Sequence, residues 1–257
     1  MTSPDAPPAA IDIRGASKTY PNGIRALEPI DLTVRQGEFV TIVGPSGCGK
    51  STLLRLIAGL SPSTAGSIVL SEGFSPPRLA YVFQSPTLMP WASVQANVRL
   101  PLDLAGMPRS DADEKTRHAL ELVGLQEFAR SFPRELSGGM QMRVSIARAL
   151  ATEPRLLLMD EPFGALDEIT RNRLDREFSE LSARANLTVL FVTHSIYEAV
   201  FLSSRVLVMS PRPGRVHAEV NIDAPRPRMD SFRGTVKFAT HSAQLSEMLG
   251  AVMSEAE

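Results

Sequence analysis

The chain has 257 residues, a formal net charge of −1 at pH 7, 43% hydrophobic residues and one cysteine. This length and apolar content predict a soluble globular protein with one large α/β domain, or a domain with a subdomain. The near-neutral charge argues against a nucleic-acid-binding protein, the lack of a long apolar run argues against a membrane span, and one cysteine excludes an internal disulfide.

The N-terminal region begins with residues 1–10, which are rich in Pro and Ala. They lack the basic and apolar regions of a secretory signal, and we predict a disordered lead-in. Two stretches then have the pattern of antiparallel β structure, Ile11–Tyr20 and Ile30–Val34. We therefore expect the folded part to begin with a small antiparallel β subdomain.

A phosphate-binding loop follows at residues 44–52, which read Gly-Pro-Ser-Gly-Cys-Gly-Lys-Ser-Thr. The loop lies between an apolar, β-branched run, Phe39–Val43, and a helical stripe that begins at Leu53. Its glycines let backbone N–H groups approach a triphosphate, Lys50 brings a positive charge to the phosphates, and Ser51 offers a hydroxyl to Mg²⁺. We predict a nucleotide site; the alternative is a Gly-rich turn that binds nothing.

The predicted nucleotide contacts extend over the whole loop. They are Gly44, Pro45, Ser46, Gly47, Cys48, Gly49, Lys50, Ser51 and Thr52. Cys48 is interpreted as a small residue that fills a turn position, with an oxidisable or alkylatable thiol as the alternative.

Beyond the loop, short apolar runs alternate with helical patterns, which predicts a parallel sheet covered on both faces. The predicted core strands are Val40–Val43, Leu79–Phe83, Leu156–Met159, Val189–Val192 and Val206–Met209. Between the second and third of these strands the sequence has helical patterns at Asn97–Ala105 and Asp113–Val123, separated by Gly106-Met107-Pro108. We infer an inserted helical subdomain over about 85–136.

The last third of the chain contains a predicted long helix, Glu168–Ala185, and a C-terminal amphipathic stripe. The stripe consists of Leu245, Met248, Leu249 and Val252. It predicts a helix packed on its own domain, and a partner-binding helix is the alternative. We assign residues 11–221 to the main domain and 222–257 to a C-terminal loop and helical tail.

A second motif of functional interest is an apolar strand that ends in two carboxylates, Leu156–Glu161. Ligands of parallel sheets lie at the carboxyl ends of the strands, so we expect these acids beside the phosphate loop. Asp160 can hold Mg²⁺ through water, and Glu161 can polarise an attacking water. Solvated acids at a strand end are the alternative for the pair alone.

A third motif reads Leu136-Ser137-Gly138-Gly139-Met140-Gln141 and continues into a helical stripe. Alone, it would be interpreted as a turn and a helix start. Because the helix begins with Ser137 and bare backbone N–H groups, it also predicts a second anion-binding surface. One chain then has two segments suited to phosphate.

These residues together resemble the ATP-binding cassette of ABC transporters, from about Ile11 to Arg215. The resemblance implies an α/β P-loop NTPase fold, with a parallel core sheet, an N-terminal antiparallel β subdomain and an inserted helical subdomain. The loop corresponds to the Walker A motif, 156–161 to the Walker B strand, 136–140 to the family signature and Ala165-Leu166-Asp167 to the D-loop.

Three single residues match the family pattern as well. Tyr20 matches the aromatic residue that stacks on adenine, Gln84 the glutamine that reaches metal and water, and His194 the switch histidine. Each has an ordinary alternative when taken alone: a surface or core tyrosine, a polar strand end and a structural imidazole. Their order and spacing favour the family roles.

The family works as a head-to-tail dimer, which implies that each of two ATP molecules lies between Lys50 of one chain and Ser137–Gly139 of the other. ATP and Mg²⁺ are the implied cofactors, and a second copy of the chain or a paralogous cassette is the implied partner. The catalytic residues implied by the resemblance are Glu161, His194, Gln84 and Lys50, and the implied magnesium ligands are Ser51, Gln84 and Asp160.

The signature departs from the family pattern at two positions. Met140 stands where Gln is commonest, and Met142 stands where a polar residue is frequent. We expect Met140 to remove a side-chain contact but to leave the backbone N–H groups and Ser137 in place, so that hydrolysis is retained.

Segments 88–91, 191–199 and 209–215 resemble the nitrate/sulfonate/taurine importer branch, which includes importers of pyrimidine vitamin precursors. The resemblance implies a peripheral ATPase on the cytoplasmic face of the inner membrane, bound to transmembrane permease subunits and, indirectly, to an extracytoplasmic solute-binding protein, with no nucleic-acid partner. Trp91 either packs within the helical subdomain or lines a groove for a permease helix. The alternatives are a soluble single-cassette ATPase of an assembly process and a regulator that binds nucleotide without hydrolysing it.

Overall fold

The structure is a computed structural model that describes residues 7–76, 78–164 and 166–254. The strands are β1 Ala9–Thr19, β2 Arg25–Arg35, β3 Phe39–Val43, β4 Ala65–Leu70, β5 Leu79–Val82, β6 Leu156–Asp160, β7 Thr188–Val192, β8 Arg205–Met209 and β9 Val216–Asn221. The helices are α1 Lys50–Ile57, α2 Val94–Leu104, α3 Arg109–Leu122, α4 Gly138–Leu150, α5 Glu168–Arg184, α6 Ile196–Leu202 and α7 Val236–Ser254, with 3₁₀ turns at Gln126–Phe128, Pro133–Glu135 and Asp230–Gly234.

The five predicted core strands and the unpredicted β9 form one six-stranded sheet, in the order β5-β6-β7-β3-β8-β9. The first five strands of this order are parallel, and β9 pairs antiparallel with β8. This arrangement confirms the predicted α/β cassette fold. It also places β3, which leads into the phosphate loop, between β7 and β8.

The central strands are buried on both faces, because alternate residues enter two different hydrophobic cores. Phe39 and Val43 of β3 pack with α4, α5, α6 and α7, whereas Val40 and Ile42 pack with β1, β2 and α1. Each fully buried side chain of this size contributes about 1.5–3 kcal/mol of transfer free energy. The sheet is thus packed on both faces, which fixes where the loops at the carboxyl ends of its strands begin.

The N-terminal β subdomain is an antiparallel sheet in the order β2-β1-β4. The prediction that the lead-in reaches residue 10 is wrong for Ala9 and Ala10, because Ala9 pairs with Arg35 and Ala10 is fully buried. The prediction for residues 1–6 lies outside the described residues. Strand β4 was not predicted, since most of its side chains are exposed and give no apolar signal.

Helices α2 and α3 lie in the predicted inserted segment, and among its described residues no strand occurs between β5 and β6. Helix α2 begins three residues earlier than predicted, because Ser93 caps it by accepting a hydrogen bond from Ala96 N at 3.2 Å. Trp91 is 77% exposed, so the interpretation that it packs within the helical subdomain is wrong. The limits 85–136, 11–221 and 222–257 remain predictions.

The C-terminal stripe lies on α7, whose Leu245 and Val252 are buried in the main core, with Met248 and Leu249 packed against it. The helix therefore packs on its own domain. Within residues 7–76, 78–164 and 166–254, no helix combines the length and the apolar character that a membrane span requires.

Candidate nucleotide site

The phosphate loop connects the carboxyl end of β3 to the amino end of α1. Gly49 is the N-terminal cap of α1 and has a φ of 108°, a conformation that favours glycine strongly over other residues. The first N–H groups of α1 have no partner within the helix and point back along its axis into the loop. The local sequence therefore builds a concave set of donors at the positive end of a helix dipole.

Lys50 supplies the charge of the loop and is held inside it. The residue is 6% exposed, and Nζ donates to Gly44 O at 2.9 Å and to Pro45 O at 3.0 Å. The amine thus stays within the loop, where a triphosphate would place its own oxygens. The positive charge, the glycines and the helix end fit a nucleotide triphosphate.

The two carboxylates lie beside the loop, as predicted. Asp160 ends β6 and accepts a hydrogen bond from Ser51 Oγ at 2.8 Å. Its second oxygen accepts from the hydroxyl of Tyr81 on β5 at 3.2 Å. Burial and the charge of Asp160 raise the pKa of Tyr81, so the phenol stays protonated and remains a donor. Ser51 and Asp160 offer oxygen atoms of the kind that Mg²⁺ prefers, and they fit that ion.

Glu161 brings together two other predicted residues from neighbouring strands. Gln84, which follows β5, donates from Nε2 to Glu161 Oε2 at 3.3 Å. His194, which follows β7, places Nδ1 at 3.3 Å from the same oxygen. Glu161 itself has a φ of 47°, and its backbone N donates to Val192 O at 2.9 Å. The carboxylate therefore lies between an amide and an imidazole, at the edge where parallel strands bind ligands.

The signature segment lies at the start of α4 and is open to solvent. Ser137 caps this helix and accepts a hydrogen bond from Met140 N at 3.3 Å. Ser137 and Gly138 are exposed, and a Cβ built on Gly138 would meet no atom within 4 Å among the described residues. In the part of the chain that the structure describes, no hydrogen bond joins this segment to the phosphate loop. The phosphate loop and the signature segment therefore form two separate helix N-termini in this chain.

Comparison with known proteins identifies the family. The family model described as ABC transporter matches residues 27–164, more than half of the chain. The chain is 44% identical over 242 residues to the taurine import ATP-binding protein of Rhizobium johnstonii, which covers 93% of this chain and 92% of that protein. The chain belongs to the ABC transporter family. It is the ATP-binding, ATP-hydrolysing cassette of that family.

Other relatives of this cassette agree. An aliphatic sulfonates import ATP-binding protein of Rhodopseudomonas palustris is 44% identical over 247 residues, or 94% of this chain and 85% of that protein. The solved structure of a dimeric bacterial ABC transporter cassette has a TM-score of 0.75 and 33% identity, and the match covers 84% of this chain and all of that one. A dimeric cassette bound to ADP and phosphate, in a post-hydrolysis state, has a TM-score of 0.74 and 32% identity over 84% of this chain and 100% of that one.

Tyr20 of the cassette lies next to the phosphate loop. Its hydroxyl is 3.3 Å from Thr52 Oγ1, and Lys18 Nζ is 5.3 Å from the centre of its ring. The half-buried ring is anchored beside the last residue of the loop. This position suits an aromatic platform for a base and disfavours the alternative of a tyrosine unrelated to the site.

The D-loop continues from the segment after Glu161, although Ala165 lies outside the described residues. Asp167 caps α5 by accepting from Thr170 N at 2.9 Å, and this bond lowers the pKa of its carboxyl. Arg171 donates to Phe163 O at 3.3 Å and to Leu166 O at 2.6 Å. Arg171 was not predicted as a functional residue.

Two further residues near the motifs were missed by the sequence analysis. Tyr81 holds Asp160, but a tyrosine in a strand gives no signal until the pairing of β5 with β6 is known. Gln141 donates to Pro133 O at 3.0 Å and to Leu136 O at 3.3 Å, and so fixes the turn before the signature. Of the two unusual methionines, Met142 is buried in the core, and Met140 is half-buried against it.

Proposed function

We propose that the cassette is the ATP-hydrolysing subunit of a bacterial importer and drives a separate permease from the cytoplasmic face of the inner membrane. The observation that carries the proposal is the meeting of Gln84 and His194 on Glu161, beside a phosphate loop with an inward-held lysine. This set is equipped to hydrolyse ATP, whereas a nucleotide-binding regulator has no need of a positioned carboxylate.

In this proposal Glu161 is the general base for the attacking water. Phosphoryl transfer depends on alignment of that water and on stabilisation of charge more than on covalent chemistry. Gln84 and His194 orient the carboxylate, and His194 also contacts the γ-phosphate. Lys50 stabilises the charge that develops on the phosphate oxygens.

Magnesium would be held by Ser51 and Asp160, with Gln84 in reach of the same edge of the sheet. The ion would supply Lewis-acid polarisation of the phosphate oxygens. The hydrogen bond from Tyr81 keeps the Asp160 carboxylate in one orientation.

The second half of each nucleotide site comes from another chain in this proposal. At the start of α4, Ser137 and Gly138 are exposed and Gly139 is half-buried, and none of the three faces the loop of its own chain. A second copy, or a paralogous cassette, would place them on the γ-phosphate in a head-to-tail dimer. Support comes from the two similar structures, which are dimers.

The import role is supported by relatives named for taurine and for aliphatic sulfonates. We propose a small solute of the nitrate, sulfonate, taurine or pyrimidine-precursor type as the cargo. A solute-binding protein outside the membrane would deliver it to the permease. Trp91, an exposed aromatic residue on the inserted helical segment, is the proposed anchor for a permease helix.

The test is purification of the tagged chain from gently solubilised native membranes. We expect a multi-span permease to co-purify with the wild-type chain and with Val69→Glu, which alters an exposed apolar residue of β4, but not with Trp91→Glu. Recovery of soluble partners alone would favour the assembly ATPase and overturn the import role. Retention of the permease by Trp91→Glu would remove Trp91 from the interface.

A further inference from the structure

A buried cluster of charges joins α5, α6 and the C-terminal segment, outside the nucleotide-binding residues. Asp175 on α5 and Glu198 on α6 have side chains that are 0% and 4% exposed. Arg233, in the 3₁₀ turn before α7, reaches Asp175 at 2.7 Å, and Arg171 reaches Glu198 at 3.5 Å. Buried charges of this kind are retained only when they are paired, so each arginine is needed to balance a carboxylate.

One side of the cluster contacts Thr193 and Ser195, the residues that flank the switch histidine His194. The hydroxyl of Thr193 donates to the Glu198 carboxylate, and Thr193 Oγ1 accepts from Ser195 N at 3.0 Å. Glu198 N donates to Ser195 Oγ at 3.3 Å. The Glu198 carboxylate therefore holds Thr193 directly and Ser195 through Thr193, so it anchors the residues on both sides of His194. Because the His194 side chain is 58% exposed, these backbone anchors decide where its imidazole lies.

The other side of the cluster holds the segment that follows Glu161. Arg171, the ion-pair partner of Glu198, donates to Phe163 O and to Leu166 O. Gly164 N donates to Glu161 O at 3.2 Å, which closes the turn that carries the carboxylate. The Glu198–Arg171 pair thus connects the two segments whose side chains meet at the proposed catalytic carboxylate.

The C-terminal segment adds the remaining charge. The Arg233 guanidinium lies 4.0 Å from the centre of the Phe201 ring on α6. Burial and the charge of Glu198 raise the pKa of Asp175 to about 7, while Arg233 and Arg171 act to lower it. Phe238 of α7 stacks on Tyr197, the third residue after His194, with ring centres 5.9 Å apart.

We propose that Arg233, Asp175, Glu198 and Arg171 form a positioning network that couples the C-terminal segment to turnover at Glu161 and His194. The proposal rests on the functions assigned above to those two residues. A partner or modification that moves the turn Asp230–Gly234 would then change the rate of hydrolysis without touching the nucleotide.

The first test compares two arginine variants of the full chain, Arg233→Gln and Arg176→Gln. Both arginines join α5 to the turn Asp230–Gly234 at 2.7 Å, but the Arg176–Asp230 pair is exposed (37% and 54%) and lies outside the cluster. We expect Arg233→Gln to lower kcat by about tenfold with KM for ATP unchanged, because misplaced catalytic groups affect the rate and not the binding of the loop. Arg176→Gln should match the wild type. Equal kcat for the two variants would overturn the proposal.

A second variant, Asp175→Asn, covers the case in which Arg233→Gln fails to fold. A neutral amide in place of a buried carboxylate carries no charge to desolvate, and the variant still disrupts the cluster. We expect the same fall in kcat with KM unchanged. A folded Asp175→Asn chain with wild-type kcat would contradict the network.

A double-mutant cycle tests whether the network acts through the switch histidine. We expect the losses of kcat from Glu198→Gln and His194→Ala to combine to less than their product, because residues of one network are not additive. Multiplication of the two losses would show independent roles and overturn the proposal. The proposed catalytic roles fail if His194→Ala and Glu161→Gln turn over normally, whereas the network fails if those variants are impaired and Arg233→Gln is not.

Discussion

The phosphate loop and the signature segment are both the N-terminal ends of helices, yet their surroundings differ. The loop lies against the sheet, with Lys50 bonded to its own loop and Ser51 bonded to Asp160. The signature presents Ser137 and Gly138 to solvent, and the capping bond of Ser137 stays within its own turn. The polar side chains of the loop are thus paired within the chain, whereas the signature presents its first residues to solvent.

The two segments are similar as motifs, and they differ in burial: one is supported by its own chain and the other is exposed. The phosphate loop and the carboxylates beside it are supported by a six-stranded sheet with a hydrophobic core on each face, so this part of the site is formed within a single chain. The signature segment, proposed above to contact the γ-phosphate, is exposed at Ser137 and Gly138 and packs on the core through Leu136 and Met140. We infer that the second part acts on the nucleotide of another chain, which is the head-to-tail arrangement proposed above.

The largest effect is expected at Glu161, the carboxylate beside the phosphate loop. Glu161→Gln should lower ATP hydrolysis by about 10²–10³-fold, because a general base is lost while the loop stays intact. ATP affinity should stay within about twofold of the wild type, since binding relies on the loop and the helix end. Steady-state phosphate release and equilibrium binding of a fluorescent ATP analogue measure the two effects.

The matched control for this variant is Glu168→Gln, the same substitution in the first turn of α5. Retained ATP should also hold the two chains together, so Glu161→Gln should form ATP-dependent dimers by light scattering. Near-normal turnover would remove Glu161 from the role of base.

Mixing two inactive variants tests whether the loop and the signature of one nucleotide site come from different chains. Lys50→Ala damages the loop, and Gly138→Asp places a negative charge on the signature, so each homodimer should be inactive. A mixed dimer has one site with both halves intact, and random mixing should restore about a quarter of wild-type hydrolysis in a two-fold assembly. Titration of one inactive variant into the other measures the recovery. An absence of recovery would place both halves of a site in the same chain.

A smaller effect is expected at Tyr20, which lies beside the phosphate loop and not beside the signature segment. Tyr20→Ala should weaken ATP binding by about two- to tenfold, because stacking of one ring contributes about 0.5–1.5 kcal/mol. Tyr20→Phe should bind nearly as well as the wild type, since it loses only the contact with Thr52. Calorimetric titration with ATP tests the pair. If both variants bind equally weakly, the hydroxyl and not the ring is the contributing group.

The smallest effect is expected in the signature side chains. Met140→Gln should change kcat by less than about twofold, because the backbone N–H of Met140 is already directed to Ser137 and the side chain rests on the core. Measurement of kcat in the wild type and in this variant decides the matter. A rise of tenfold or more would show that the signature acts through a side chain at this position and not only through its backbone and Ser137.

Much of the site could be predicted because its chemistry is encoded in contiguous residues. In the loop, in the acids at the end of β6 and in the signature, the residues of the motif themselves determine the local backbone conformation. Fully buried strands such as β3 are also recognisable, because they are apolar along almost their whole length. Strands β4 and β9 gave no such signal, since they are largely exposed.

The remainder depends on tertiary pairing and could not be read along the chain. Tyr81 becomes a partner of Asp160 only when β5 lies beside β6. Arg233 meets Asp175 across 58 residues of sequence. A charged residue in a helical pattern predicts solvent exposure, so the burial of Asp175 and Glu198 was contrary to the local signal.

The position of β3 in the sheet has a consequence for the synthesis of the protein. The strand that leads into the phosphate loop pairs with β7 and β8, and the loop itself lies against Gly214, whose lack of a Cβ makes room for the carbonyl of Cys48. Gly214 N in turn donates to Ala26 O at 3.0 Å. A nascent chain that ends before β8 at Arg205 contains every residue of the loop but lacks one neighbour of its strand and the turn behind it. The nucleotide site is therefore complete only once β8 and the turn at Gly214 have joined β3, and we expect ATP to stabilise the cassette only from that stage of folding onward.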